Sequence, residues 1–299
     1  MTERKERVDG RQQHRIGRLV TALITPCIEG KVRPEAITAL VDYQAENGTE
    51  GLFILGTAGQ GPFLVEEERK VLAEATVTAA KGRLAVVCHV GATTTEVSVR
   101  LACHAEAIGV TAIAAVPPIY YSPDEKTVLE YYSTLIDAVS VPVYAYDNPA
   151  ATGYSFGARQ LAELVAAGLA GVKVARSDLL FVQALVQAEV PTWIANAHLN
   201  AAALWAGAEG SVSTITNLSP RLFQSLQISF RERDIESSRQ VQQRIDKFST
   251  AVRTPIIGGL HYGVTRLGLP GGTPRPPLRM PDDEERAVIE LAMKEERLL

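Results

Sequence analysis

The stretch Val141–Ala175, VPVYAYDNPAATGYSFGARQLAELVAAGLAGVKVA, contains a whole structural unit. It opens on a short apolar run, Val141–Tyr146, which stops at the turn-forming Asp147-Asn148-Pro149. An amphipathic segment follows at Gly157–Ala167, with apolar positions at helical spacing. A second short run, Gly171–Val174, closes the unit. Both short runs are apolar throughout rather than alternating, apart from one lysine at position 173. Parallel strands buried on both faces look like this. The spacing predicts strand, helix, strand, with the strands side by side and a right-handed crossover.

The same unit repeats outward in both directions. Strand candidates read Leu19–Ile24, Gly51–Leu55, Leu84–Val90, Ala112–Val116, Thr192–Ala195 and Gly210–Ser213 in addition to the two above. Helix candidates between them read Pro34–Asn47, Val65–Lys81, Thr95–Ile108, Asp124–Val139, Ser177–Ala188 and Leu199–Ala206, with Ser219–Phe230 after the last strand. Several carry end signals: proline at the first turn of Pro34–Asn47, glycine just after Lys81 and Ile108. Eight strands each followed by a helix predict an α/β fold, a (β/α)8 TIM barrel, ahead of a doubly wound open sheet. The boundaries read as a polar N-terminal arm at 1–17, the barrel at 18–230 and a C-terminal helical extension of the same domain at 231–299. Within the extension, Arg231–Leu267 and Asp282–Leu299 read as helices. The Gly- and Pro-dense 268–281 between them reads as a loop.

The bulk numbers agree with a large buried core. Of 299 residues, 46% are hydrophobic and 21% charged, and the formal net charge is -4. Without a basic run and with few aromatics, nucleic acid is not an expected partner. No apolar stretch reaches the roughly 20 residues of a membrane helix. Cys27, Cys88 and Cys103 are odd in number and widely spaced, which argues against a disulfide framework and leaves a reducing cytoplasm as the expected compartment. No histidine and carboxylate cluster has metal spacing, so no metal is expected. The Gly56–Gly61 loop has neither GxGxxG spacing nor a P-loop Gly-Lys-Ser/Thr, and no organic cofactor is expected.

Chemistry in such a barrel sits at the C-terminal ends of the strands. Lys173 stands out there, because the other lysines fall in turns, termini or polar helix faces. Burial disfavours the ammonium, and a neutral amine at a barrel mouth can attack a carbonyl. The competing reading is a buried ion pair with Asp147, Asp178 or Glu209. Tyr146, Tyr121 and Thr57 fall at the same rim and could move protons around an imine. A single tyrosine there is better explained as an amphipathic rim residue, whereas three hydroxyls and a lysine at one rim point to chemistry. The small residues of Gly56–Gly61 let backbone N–H groups approach a carboxylate. His89 and His198 read as packing or hydrogen-bonding residues. Arg176 is a candidate contact for a distal acid group.

Taken in order, the motifs resemble those of the dihydrodipicolinate synthase and N-acetylneuraminate lyase superfamily of class I aldolases. Leu23-Ile24-Thr25-Pro26 is similar to its opening strand and Gly56-Thr57-Ala58-Gly59-Gln60-Gly61-Pro62 to its GTTGE-type carboxylate loop. Tyr146-Asp147-Asn148-Pro149 with Thr152-Gly153 is similar to YNxP…TG, and Gly171-Val172-Lys173 to G[IV]K. The resemblance covers the chain from about Arg18 onward. It implies that Lys173 forms an imine with a 2-oxo acid and Tyr146 is the acid/base phenol. Thr57 and Tyr121 would complete its relay, Tyr121 often reaching a neighbouring subunit's site. The backbone of Thr57 and Ala58 would hold a pyruvate carboxylate, and Val212 would line the site. A homo-oligomer built as a dimer of dimers is the implied assembly. Two departures stand out. Ala58 replaces a common hydroxyl residue. Ala151 replaces the arginine with which the synthase branch grips its second substrate. The Gly59-Gln60-Gly61-Pro62 form of the loop, Asn148-Pro149-Ala150-Ala151-Thr152-Gly153, and the late Arg275-Pro276-Pro277 with Asp282–Glu285 look closer to the 2-keto-3-deoxygluconate aldolase branch. The expected reaction is reversible cleavage of a 2-keto-3-deoxy sugar acid, or a similar 4-hydroxy-2-oxo acid, to pyruvate and an aldehyde. Other outcomes of the same imine are a dihydrodipicolinate synthase, an N-acetylneuraminate-lyase-like enzyme or a dehydratase. A non-catalytic 2-oxo acid sensor is the alternative of another class.

Overall fold

The eight apolar runs close on themselves because each has an apolar face to offer on both sides. In the computed structural model, which describes residues 16–253 and 255–299, the first strand is β1 (Leu19–Ala22). A two-stranded hairpin follows it, β2 (Cys27–Ile28) and β3 (Lys31–Val32). Then come β4 (Gly51–Ile54), β5 (Ala85–His89), β6 (Ala112–Ala115), β7 (Val143–Asp147), β8 (Gly171–Val174), β9 (Thr192–Ile194) and β10 (Gly210–Ser213). The order β1-β10-β9-β8-β7-β6-β5-β4 is a closed barrel, all neighbours parallel, with β4 pairing back to β1. The chain is a (β/α)8 TIM barrel. The hairpin was not legible in the apolar pattern, since each of its strands is only two residues long.

The apolar runs resolve into two layers. Val20, Phe53, Val87, Ala112, Ala114, Tyr144, Tyr146, Trp193 and Val212 pack together inside the barrel. Leu19, Leu52, Ile54, Val86, Cys88, Ile113, Val143, Ala145, Val172 and Val174 face outward into the main core under the helices. Alternation in direction is therefore present, but both directions are dry, which is why it does not show as alternation in polarity.

The helices are α1 (Ile37–Glu46), α2 (Glu66–Ala80), α3 (Thr95–Ala107), α4 (Glu125–Ala138), the single turn α5 (Pro149–Thr152), α6 (Ala158–Ala166), α7 (Leu179–Gln187), α8 (Asn200–Ala206) and α9 (Pro220–Arg231). Several are started by side-chain caps: Asp124 accepts from the Thr127 N–H and Asp178 from the Phe181 N–H. Asp178 is thereby occupied at the start of α7.

The extension differs from its sequence reading. The single helix read over 231–267 is two, α10 (Ile235–Val252) and α11 (Ile256–Arg266), followed by α12 (Asp283–Glu295). Pro255 is the N-cap of α11, and a proline there cannot donate the N–H that would continue α10. Asp234 caps α10 and Asp282 forms a capping box with Glu285 at α12. α10 packs on α8 and α9, and α12 packs on α10 and α11. Ile257 of α11 joins the inner barrel layer. His261 contacts the Gln60 side chain at 3.2 Å, and Gln60 also accepts from the Arg275 N–H at 2.7 Å. The extension thus reaches the loop after β4. Of the 1–17 arm, residues 1–15 lie outside the described residues. Ile16 is buried in the inner layer and belongs with the barrel rather than the arm. No helix among the described residues is long and apolar enough to cross a membrane.

Phe248 on α10 is 1% exposed within the main core that the barrel and extension share. Phe248→Ala is expected to cost about 3–5 kcal/mol. In chemical denaturation, far-UV circular dichroism and tryptophan fluorescence should move together to lower denaturant. A separate early transition confined to one probe would contradict a shared core.

Candidate active site

Lys173 occupies an interior position of β8, in register with Tyr146 on β7 and Trp193 on β9. It is 5% exposed. Its Nζ sits 3.7 Å from the Phe53 ring centroid and 3.9 Å from that of Tyr146. No carboxylate among the described residues pairs with it: Asp147 is taken by Arg176 and Asp178 caps a helix. The ion-pair reading of Lys173 therefore fails. Aromatic faces favour an ammonium by roughly 2 kcal/mol when desolvated. Burying a charge with no counter-ion costs several kcal/mol. The balance favours the neutral amine, and burial brings the Lys173 pKa down to about 7.

Tyr146 is buried beside it, its ring edge-on to Phe53 at 5.6 Å and to His89 at 6.1 Å. Its hydroxyl lies 3.3 Å from Thr57 Oγ1. Burial pushes the phenol pKa up, and hydrogen bonds from Thr57 and Asn148 oppose that rise. Thr57 and Ala58 belong to the loop that follows β4. Their backbone N–H groups have no acceptor among the described residues. A compact anion could take both. The glycines of this loop serve a tighter need than was read from the sequence. A Cβ on Gly61 would lie 1.8 Å from the Leu55 carbonyl oxygen, so the loop can fold back on the strand end only with glycine there. Leu55 itself takes φ +60°, a strained value for a non-glycine residue and one that clusters near functional sites.

Val212 lines a small cavity against Lys173, with Ile16, Phe53, Val87, Tyr144 and Trp193. This apolar floor is what desolvates the amine. Tyr121 is not brought to the site within the chain. It is 81% exposed, stacked edge-on with Tyr120 at 5.1 Å, and Tyr120 holds a left-handed φ of +84°. Arg176 is corrected. Its Nε and Nη2 donate to the Asp147 carboxylate at 2.6 and 2.7 Å, Nη2 also donates to the Phe156 carbonyl, and its guanidinium stacks on Phe181. A guanidinium held by a fully buried carboxylate is a fastening between the ends of β7 and β8, not a free contact for substrate.

His89 is buried, accepts the Val116 N–H at Nε2, and is kept neutral by burial and then by Arg69. His198 bonds Asp246 at 3.0 Å. Both fit the hydrogen-bonding roles expected of them. Asn148 was missed: its Nδ2 lies 3.2 Å from Tyr146 Oη and 3.4 Å from Thr57 Oγ1. Nothing in the turn Asp147-Asn148-Pro149 distinguishes an asparagine that turns inward from one that caps a helix.

An unpaired amine and a hydrogen-bonded phenol at the strand ends of a closed (β/α)8 barrel are the equipment of a TIM-barrel lyase. The profile of the Dihydrodipicolinate synthetase family matches residues 15–296, and the chain belongs to that family. The 4-hydroxy-tetrahydrodipicolinate synthase of Hyphomonas neptunium is 31% identical over 281 residues, covering 92% of this chain and 96% of the relative. The N-acetylneuraminate lyase of Rhizobium meliloti is 29% identical over 280 residues, covering 92% and 93%. Among solved structures, the KD(P)GA of T. tenax superposes with a TM-score of 0.86 at 27% identity, covering 94% of this chain and 99% of that one. The protein is an enzyme of the class I aldolase and carbon–carbon lyase type.

Arg176→Ala leaves the Asp147 carboxylate buried and unpaired. It should lower stability by about 3–5 kcal/mol. The double variant with Asp147→Asn should recover a large part of that in urea denaturation. Single and double variants of equal stability would mean the pair is not the fastening described.

Proposed function

We propose that the chain reversibly cleaves a 2-keto-3-deoxy sugar acid, or a similar 4-hydroxy-2-oxo acid, to pyruvate and an aldehyde through an imine on Lys173. The observation that carries this reading is the Lys173 amine, buried without a counter-ion and 3.9 Å from the Tyr146 ring. The substrate carboxylate takes the N–H groups of Thr57 and Ala58. The amine adds to the C2 carbonyl. Tyr146 gives its proton to the departing hydroxyl, releasing water and leaving a protonated imine and a phenolate. The phenolate takes the C4 hydroxyl proton as the C3–C4 bond breaks, and the bonding pair flows into the imine. The aldehyde leaves an enamine, which Tyr146 protonates at C3. Water then adds to the imine, returns a proton to the phenolate, and pyruvate departs from the free amine.

The exposed Tyr120-Tyr121 pair supports a homo-oligomer, with Tyr121 completing the Thr57 relay of a neighbouring copy in a cytoplasmic dimer of dimers. A dihydrodipicolinate synthase is the second reading, favoured by the Hyphomonas relative. Ala151 opposes it, because an exposed methyl cannot grip a second carboxylate as a guanidinium can. An N-acetylneuraminate-lyase-like reaction, a dehydratase and a non-catalytic sensor are separated by assay with a panel of aldehydes and pyruvate.

Borohydride reduction with pyruvate should leave a pyruvyl adduct on the peptide carrying Lys173, and Lys173→Ala should fold yet turn over at background. A modified peptide elsewhere, or retained turnover, would overturn the assignment. Tyr146→Phe should lower kcat about 10²–10⁴-fold. The protonated amine is inert, so kcat/KM should rise with pH through about 7, and it should fall again at higher pH where the Tyr146 phenol, which must give up a proton, ionises. The same group affects stability. Its folded pKa lies below the ordinary 10.5, so it penalises folding in full below about 7, and the penalty is relieved as pH rises toward 10.5.

A further inference from the structure

Asparagine is among the best N-cap residues, because its side chain accepts a hydrogen bond from the first turn of a helix. Asn148 stands at the N-cap of the single turn α5, yet its side chain makes no capping bond. Its amide nitrogen donates instead to Tyr146 Oη at 3.2 Å and to Thr57 Oγ1 at 3.4 Å. The two hydroxyls are themselves 3.3 Å apart, so the three groups form a closed triangle at the mouth of the barrel. The amide has two hydrogens and spends one on each oxygen. It can neither take up nor pass on a proton through that nitrogen. Within the triangle a proton can pass only between Tyr146 and Thr57, while the amide remains a fixed donor to both.

We propose that Asn148 is the positioning residue of the acid/base phenol, holding Tyr146 against Thr57 and stabilising the phenolate each time the tyrosine releases its proton. This rests on the acid/base role given to Tyr146 above. The reaction written there generates a phenolate twice, once at water loss and once at C3 protonation. A neutral N–H···O bond becomes charge-assisted at those moments and strengthens. The gain appears as charge develops, so it lowers the barrier rather than tightening the ground state. The donor comes from the residue two after the phenol on the same strand end. The Arg176–Asp147 fastening fixes the backbone between them, so little reorganisation accompanies the charge.

The test is a pair of variants of the full-length chain, Asn148→Ala and Asn148→Asp, read by kcat and by the pH profile of kcat/KM. Aspartate is nearly isosteric with asparagine but replaces the donor with a carboxylate, which repels a phenolate. The expected result is a fall in kcat of about 10²-fold for the alanine variant and a larger fall for the aspartate variant at neutral pH. The basic limb of kcat/KM, set by the phenol, should move to higher pH in both. The acid limb, set by Lys173, should stay in place. Circular dichroism of both variants should match the wild-type chain. Wild-type kcat in both variants, or reduced kcat with the basic limb unmoved, would overturn the proposal. Borohydride trapping keeps this apart from the parent reading. If wild type fails to trap pyruvate on Lys173, the imine assignment falls. If wild type traps it and the basic limb ignores position 148, only the role of Asn148 falls.

Discussion

The cost of enclosing an ammonium with no negative partner governs this site. A closed parallel barrel has a dry interior, and among the described residues Lys173 is the one lysine placed in it, between the faces of Phe53 and Tyr146. A carboxylate at hydrogen-bond distance would have held the proton and ended nucleophilic chemistry. The neighbourhood does contain one: Asp147 is the next residue after Tyr146 and is fully buried. Arg176 takes it, in a bidentate contact backed by the Phe181 ring. The ion pair therefore keeps a buried carboxylate occupied while leaving the amine alone. It also ties the strand that supplies the phenol to the strand that supplies the amine.

Strand register does the rest of the placing. Tyr146 and Lys173 are paired residues on neighbouring parallel strands, so their side chains leave the sheet side by side. Thr57 reaches the phenol from the opposite part of the barrel, on a loop that glycines allow to fold back over Leu55. The C-terminal extension holds that loop from outside, through the contacts of Gln60 with His261 and the Arg275 N–H. The loop that carries Thr57 is thus supported by residues some two hundred positions away in sequence.

Much of this was legible before any coordinates. The unalternating apolar runs reported strands buried on both faces, and their ends located Lys173, Tyr146 and Thr57 together. Val212 was named through the family resemblance, and it lines the cavity beside Lys173. What escaped was decided by partners that sequence distance hides. Arg176 reads as a free cation because its acceptor, Asp147, reads equally as part of a turn. Asn148 reads as part of the same turn because its partners lie on a strand end and a distant loop. Tyr121 projects from the rim with its neighbour Tyr120, and one chain alone offers it nothing to complete. Pro255, which the sequence reading did not use, ends one helix of the extension and caps the next.

The central claim is that the Lys173 amine gives up its proton near pH 7 rather than near 10.5, so that a large share of it is uncharged at neutral pH. Nuclear magnetic resonance titration of the chain labelled at lysine Cε, with the Lys173 signal assigned by its loss in Lys173→Arg, measures this directly. One resonance should titrate near 7, apart from the surface lysines. A Lys173 signal that titrates with the others, near 10.5, would contradict the account.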